Sequence, residues 1–185
     1  MVNCEKEPAP GADDRQLLEQ AAAGDPASFD SLMDRYCRPF VRLAYSLVGD
    51  AAAAEDVVQE TFLAAFSGMR SFRWAASVRT WLVSILVRQA ARHRRREGLR
   101  KHALLEEAEA KPAGDAVRQA DMKMDLAWAL EGLDERYRQA IVLREIEGLS
   151  YDEIARVLSV PRGTVESRLH RARAALREKL SGRGR

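Results

Sequence analysis

Cysteine is scarce in this sequence, with only Cys4 and Cys37 among 185 residues. Two are too few for a disulfide scaffold, and neither stands in a C-x-x-C spacing that would hold a metal. Both are read as reduced thiols, Cys37 as a small apolar side chain within a helix. Histidine is also rare. His93, His102 and His170 all lie among basic residues, and none has a local carboxylate or cysteine at ligand or triad spacing. No glycine-rich phosphate loop is present, so no catalysis, cofactor or metal is expected. No apolar run approaches the ~20 residues of a membrane span. The opening stretch "MVNCEKEPAPGADD" lacks the basic-then-apolar order of a secretory signal. These absences predict a cytoplasmic protein without membrane insertion. Strand-like alternation bounded by turn residues is missing too, as is any solenoid repeat.

What remains is helical. Hydrophobic residues make up 46% of the chain, enough for a real core. Charged residues make up 31%, yet the net charge is only +2, so the distribution of charge says more than its sum. The periodicity predicts a helix over 14–23 stopped at Gly24, then Asp25-Pro26 as N-cap and first helical residue. The next helix carries Phe29, Leu32, Met33, Tyr36, Phe40, Leu43, Ala44 and Leu47 on one side. Pro39 inside it predicts a kink or break. Helices over 51–66 and 77–96, joined by a loop over 67–76, complete a first bundle. The expected organisation is a disordered leader over 1–13, this bundle over 14–97, a charged and alanine-rich linker over 98–123, and a second unit over 124–181. Helices in the second unit are expected at 124–131, 135–146, 151–158 and 162–180. The fold class is thus all-α, with two small helical domains joined by a flexible linker.

The second unit contains "LSYDEIARVLSVPRGTVESRLHRARAALREKL", from Leu149 to Leu180. Ser150 and Glu153 fit a capping box before an apolar run. Ser159-Val160-Pro161 breaks that helix. In the following helix Val165, Leu169, Ala172, Leu176 and Leu180 form one apolar stripe. The opposite face carries Gly163, Ser167, His170, Arg171 and Ala174, with Thr164, Glu166 and Arg168 on the flanks. Short and long hydrogen-bonding side chains near the start of such a helix suit a DNA major groove. Eight lysines and arginines against two glutamates from Arg162 to Arg185 supply a phosphate footprint.

The first bundle holds a second basic stretch, "RQAARHRRREGLRK", and just before it "RSFRWAASVRTW". There Phe72, Trp74 and Trp81 alternate with Arg70, Arg73 and Arg79, a pattern suited to unstacked bases. Trp81 falls on the apolar face and is assigned to the core. "EDVVQETF" is opposite in character: Glu55, Asp56, Gln59 and Glu60 share much of one face, while Val58, Phe62 and Phe66 can turn inward. That face suits a basic protein partner, and equally an ordinary solvated surface.

Together these motifs resemble the extracytoplasmic-function, or group four, sigma factors of bacterial RNA polymerase, over about 14–180. "AEDVVQETFLAAF" resembles the region-two helix that docks on the β′ clamp. "SFRWAASVRTWLVSI" resembles the promoter-melting loop and the helix after it. The stretch from Leu133 to Leu180 resembles region four, which reads the −35 element. The resemblance implies clamp contacts from Asp56, Gln59 and Glu60. It implies −10 DNA contacts from Ser71, Phe72, Arg73, Trp74, Arg79, Arg88 and Arg92, with the loop over 71–76 holding a flipped base. It implies −35 contacts from Arg162, Thr164, Glu166, Ser167, His170, Arg171 and Arg173. The implied partners are polymerase core, through its β′ clamp and β flap, promoter DNA and an anti-sigma factor. No appended C-terminal sensor domain is expected.

Two positions depart from the family. "VRQAARH" puts Gln89 and Arg92 where an asparagine and an acidic residue are usual, so −10 specificity does not carry over. Glu166 stands where a basic residue is common, and a glutamate there can accept from cytosine N4. A dimeric, ligand-sensing helix-turn-helix repressor is the alternative reading. The aromatic and arginine-rich stretch of the first bundle weighs against it.

Overall fold

The computed structural model describes residues 13–107 and 129–181, with side chains described outside 101–107. The leader over 1–12 and most of the expected linker therefore lie outside the described residues, as does the start of the first helix expected in the second unit. Among the described residues every regular element is helical. None of these helices is long and apolar enough to cross a membrane.

The first unit is built from α1 (Asp14–Ala22), α2 (Pro26–Val48), α3 (Ala51–Gly68), a 3₁₀ turn (Met69–Ser71) and α4 (Val78–Glu107). Local chemistry sets the boundaries. Asp25 caps α2 through the Ala27 N–H, with Pro26 pre-set for the first turn. Gly49 ends α2 at φ 84°, a conformation that costs glycine nothing. Asp50 then caps α3 by accepting from the Ala53 N–H at 2.8 Å. At the start of α4, Ser77 Oγ accepts from the Thr80 N–H at 3.1 Å.

Phe40 is fully buried at the centre of this bundle, against Tyr36 at 5.1 Å and Phe62 at 5.9 Å between ring centroids. Asp14 ties α1 to α2 by bonding both Arg35 and Tyr36. Burial and the neighbouring Asp14 carboxylate push the Tyr36 hydroxyl well above its ordinary pKa.

Four expectations are corrected here. The helix α2 runs unbroken through Pro39. Tyr36, Cys37, Phe40, Leu43 and Ala44 are buried on both sides of it, and their packing outweighs the roughly 3 kcal/mol that an internal proline costs. Helix α4 continues to Glu107 rather than ending near residue 96, because the good helix formers from Leu99 to Glu107 outweigh the roughly 1 kcal/mol that Gly98 costs. Phe66 is 53% exposed rather than turned inward, and meets the core only edge-on, through Phe29 at 5.2 Å. Cys37 is disulfide-bonded rather than a reduced thiol.

The second unit contains a helical turn over 129–131, then α5 (Glu135–Glu145), α6 (Tyr151–Leu158) and α7 (Arg162–Ser181). The Ser150–Glu153 capping box is complete, with Ser150 Oγ accepting from the Glu153 N–H and Glu153 accepting from the Ser150 N–H at 2.8 Å. The Ser150 hydroxyl also donates to the Glu153 carboxylate at 2.7 Å, and this bond, with the one from the Ser150 N–H, holds the Glu153 carboxyl below its ordinary pKa. Ser159 turns the chain at φ 52° between α6 and α7. Leu143, Leu149, Ile154, Val165, Leu169 and Ala172 form the core. Leu180, expected on the apolar stripe, is 44% exposed, since α7 outruns the helices it packs on. The two units touch where α6 lies on α4 and α5 on α2.

Candidate nucleic-acid and protein interfaces

The aromatic loop after α3 is held in an unusual conformation. Trp74 sits at φ 56°, in the left-handed region that a bulky side chain rarely enters. The strain is of order 1–3 kcal/mol and is opposed by two contacts. Trp74 meets the Phe72 ring edge-on at 4.9 Å, and the Arg15 guanidinium lies 4.8 Å over its face. Phe72 also leans on Trp81 at 4.8 Å, which ties the loop to the core side of α4. Ser71, Arg73 and Trp74 are exposed and Phe72 is half-buried. A pocket of 280 Å³ beside the loop is lined by Ser71, Phe72, Thr80, Trp81 and Ser84 among others.

Arg88 and Arg92 project from α4 into solvent. Arg79 is different. Its Nη2 donates to the Glu147 carboxylate at 2.7 Å, so in this arrangement it serves a contact between the two units. Gln89 is buried, with an Oε1 that finds no donor among the described residues.

On α3, Asp56 is exposed and Gln59 and Glu60 are half-exposed. Glu60 lies 3.6 Å from Arg96, a loose surface pair. Sequence reasoning missed that this face is also apolar: Leu63 is 69% exposed one turn beyond Gln59 and Glu60, with exposed Phe66 after it. Asp56, Gln59, Glu60 and Leu63 recur at helical spacing, and that spacing was the available signal.

On α7, Gly163, Glu166, Ser167, His170 and Arg171 are exposed, while Val165 and Leu169 are buried beneath them. Thr164 is half-exposed. Ser167 turns its hydroxyl back to the Thr164 carbonyl at 2.9 Å. Arg162 lies 3.2 Å from Glu166 and 3.4 Å from Asp152, so the glutamate is partly neutralised. Arg171 donates to the Tyr137 hydroxyl at 3.2 Å, and Arg173 to Glu145 at 2.9 Å.

Two residues that periodicity gave no reason to notice are buried charges. Arg138 on α5 is 2% exposed and donates to the carbonyls of Leu133, Glu131 and Leu47 at 2.7, 2.9 and 3.0 Å. Burial pushes its guanidinium down to about 10, still charged at neutral pH. Glu147 is 9% exposed and meets Arg79.

Family models for sigma-70 region 2 and sigma-70 region 4 match residues 32–100 and 123–176. The RNA polymerase sigma-H factor of Pseudomonas aeruginosa is 34% identical over 180 residues, which cover 90% of this chain and 93% of that protein. The ECF RNA polymerase sigma-E factor of Escherichia coli K12 is likewise 34% identical, covering 90% and 94%. Among solved structures, CnrH in complex with the cytosolic domain of CnrY aligns at TM-score 0.71 with 32% identity, covering 91% of this chain and 97% of that one. The sigma factor RpoE of Bartonella quintana, in complex with the anti-sigma factor NepR, aligns at 0.64 with 27% identity, covering 90% and 96%. With both regions matched in order and relatives similar along nearly their full length, the chain belongs to the extracytoplasmic-function sigma factors of bacterial RNA polymerase.

Proposed function

We propose that this chain binds RNA polymerase core in the cytoplasm and brings it to promoters by reading a −10 element with the first unit and a −35 element with the second. The observation that carries this reading is the presence of two unlike DNA-type surfaces on one chain. One is a strained aromatic loop set among arginines, suited to unstacked bases. The other is a capped helix-turn-helix whose outer face is polar and open. A dimeric repressor needs only the second. Asp56, Gln59 and Glu60, extended by Leu63, form the proposed clamp face, where an apolar centre with charged neighbours suits a protein partner. The test is run-off transcription with purified core and a genomic fragment library. Specific starts that require this chain are expected, and their absence from every fragment refutes the reading.

An anti-sigma partner is proposed as well. A groove of 410 Å³ between the units is lined by Val41, Tyr45 and Ala54 on one side and Leu130 and Ile146 on the other. Leu130 and Ile146 also border a second apolar groove of 470 Å³, with Ile141, Val142, Leu176 and Leu180, which we assign to the β flap. The shared residues support competition between inhibitor and polymerase. Both structural relatives described above were solved with partner proteins bound, one of them an anti-sigma factor. Ile146→Asp is expected to weaken capture of both.

A further inference from the structure

The residues assigned to the −10 strand come from the aromatic loop and from α4, yet the loop is also held from α1. Arg15, in the first turn of α1, places its guanidinium 4.8 Å over the Trp74 ring. Its Nε donates to the Glu19 carboxylate one turn later at 2.9 Å, which fixes the direction of the side chain. Helix α1 is itself firmly seated, by Asp14 on Arg35 and Tyr36 and by buried Leu17 and Leu18. The cation therefore stands on a rigid support, while the ring beneath it belongs to a residue at φ 56°. A tryptophan does not keep that conformation unless its surroundings impose it. The Trp74 ring is not among the groups that line the 280 Å³ pocket beside the loop, whereas Phe72, Ala75 and Trp81 are. One side of the loop thus meets α1 and the other meets the pocket, with Phe72 in contact with both Trp74 and Trp81.

We infer that Arg15 is a positioning residue for the −10 loop: its contact with the Trp74 ring keeps the loop in the shape that presents Phe72, Ala75 and Trp81 to an unstacked base. The inference rests on the reading that the loop over 71–76 takes the melted −10 strand. Trp74 is then the anchor of the loop, and the base is received on the side of Phe72. Backbone strain and cation–π attraction are of similar size, so the held and released loops lie close in free energy. Removing the cation lowers the held fraction, and DNA affinity falls with that fraction.

The test compares Arg15→Gln and Arg15→Lys in wild type with Arg15→Gln in a Trp74→Gly background, since glycine enters φ 56° without strain. Glutamine keeps the length and helix propensity but not the charge, and lysine keeps the cation. A chain labelled with fluorotryptophan gives three fluorine resonances, that of Trp74 being the one lost in Trp74→Gly. In Arg15→Gln this resonance is expected to shift and sharpen while the others hold. Melting should be unchanged, because the Arg15 side chain is 63% exposed. Open complexes are then measured with purified core on a fragment that starts transcription in the run-off library. Arg15→Gln is expected to raise the half-saturating concentration about two- to fivefold. Arg15→Lys should stay near wild type, and Arg15→Gln should cost nothing further in the Trp74→Gly background. An unmoved Trp74 resonance overturns the positioning role and leaves the −10 reading standing. A loss in Arg15→Lys as large as in Arg15→Gln overturns the cation–π basis. An equal loss in the Trp74→Gly background overturns the role as well, by showing that Arg15 holds a phosphate directly. A loosened loop with unchanged open complexes removes the loop from the −10 site, and the inference with it. If wild type itself starts from no fragment, the proposed function has failed, and this inference falls with it.

Discussion

Arg171 leaves the outer face of α7 one turn after Ser167 and donates to the hydroxyl of half-buried Tyr137 at 3.2 Å. That bond is exchangeable for the O6 and N7 of a guanine. Arg171→Ala is expected to cost about 10- to 100-fold in −35 binding by the core-bound chain and to flatten preference at one base pair. Arg173 is held by Glu145 at 2.9 Å and lies toward the flank. Arg173→Ala should weaken all sequences alike and reduce the salt slope by about one. Binding to a −35 duplex library across a salt series separates the two; a uniform loss for Arg171→Ala would place the wrong face of α7 in the groove. The capping box offers a stability test. Ser150→Ala is expected to cost about 1 kcal/mol. The depressed Glu153 pKa means that its carboxylate stabilises the fold above the ordinary glutamate value of 4.5. That contribution is lost as pH falls through the lower folded value. Melting curves of wild type and Glu153→Gln should therefore differ at neutral pH and converge in acid.

Among the elements, α3 carries the clearest division of labour. Its inner side supplies Ala54, Val57, Val58, Phe62 and Ala65 to the core. Its outer side presents Asp56, Gln59, Glu60 and Leu63. Asp56→Lys with Glu60→Lys should leave melting nearly unchanged and lower core affinity by about tenfold or more at low salt, mostly through the association rate. Leu63→Ala should cost more than about 1 kcal/mol of core binding if this leucine anchors the interface, and should act through dissociation. Surface-binding kinetics with immobilised core checks both; a double reversal that leaves affinity unchanged would make this an ordinary solvated face.

For the molecule as a whole, Arg138 is the residue on which both units depend. Its guanidinium satisfies the Glu131 and Leu133 carbonyls of its own unit and the Leu47 carbonyl of the other. Arg138→Met keeps the bulk and removes the donors, leaving buried carbonyls unpaired. Each such orphan costs about 1–3 kcal/mol. The expected result is a lower melting temperature together with a looser contact between the units, measured by calorimetry and scattering. A change in neither would show that solvent already satisfies those carbonyls.

Much of this protein was legible in the sequence, because helix signals are local. Asp25 and Ser150 as caps, Gly24 as a stop, and the 3.6-residue period placed most boundaries within a residue or two. The outward set of Gly163, Ser167, His170 and Arg171 followed from the same period, since a helix wheel needs no knowledge of the partner. Pro39 marks where local reasoning stops: the packing that keeps α2 unbroken comes from α1, α3 and α4, which no local pattern around Pro39 reveals. The same is true of Phe66, Leu63 and the disulfide at Cys37, whose surroundings depend on how helices meet. It is most true of Arg79, Arg138 and Glu147. In sequence they are three charges among 58 lysines, arginines, aspartates and glutamates. Their burial and pairing exist only once the two units lie together, because a salt bridge between residues 68 positions apart has no periodicity to announce it.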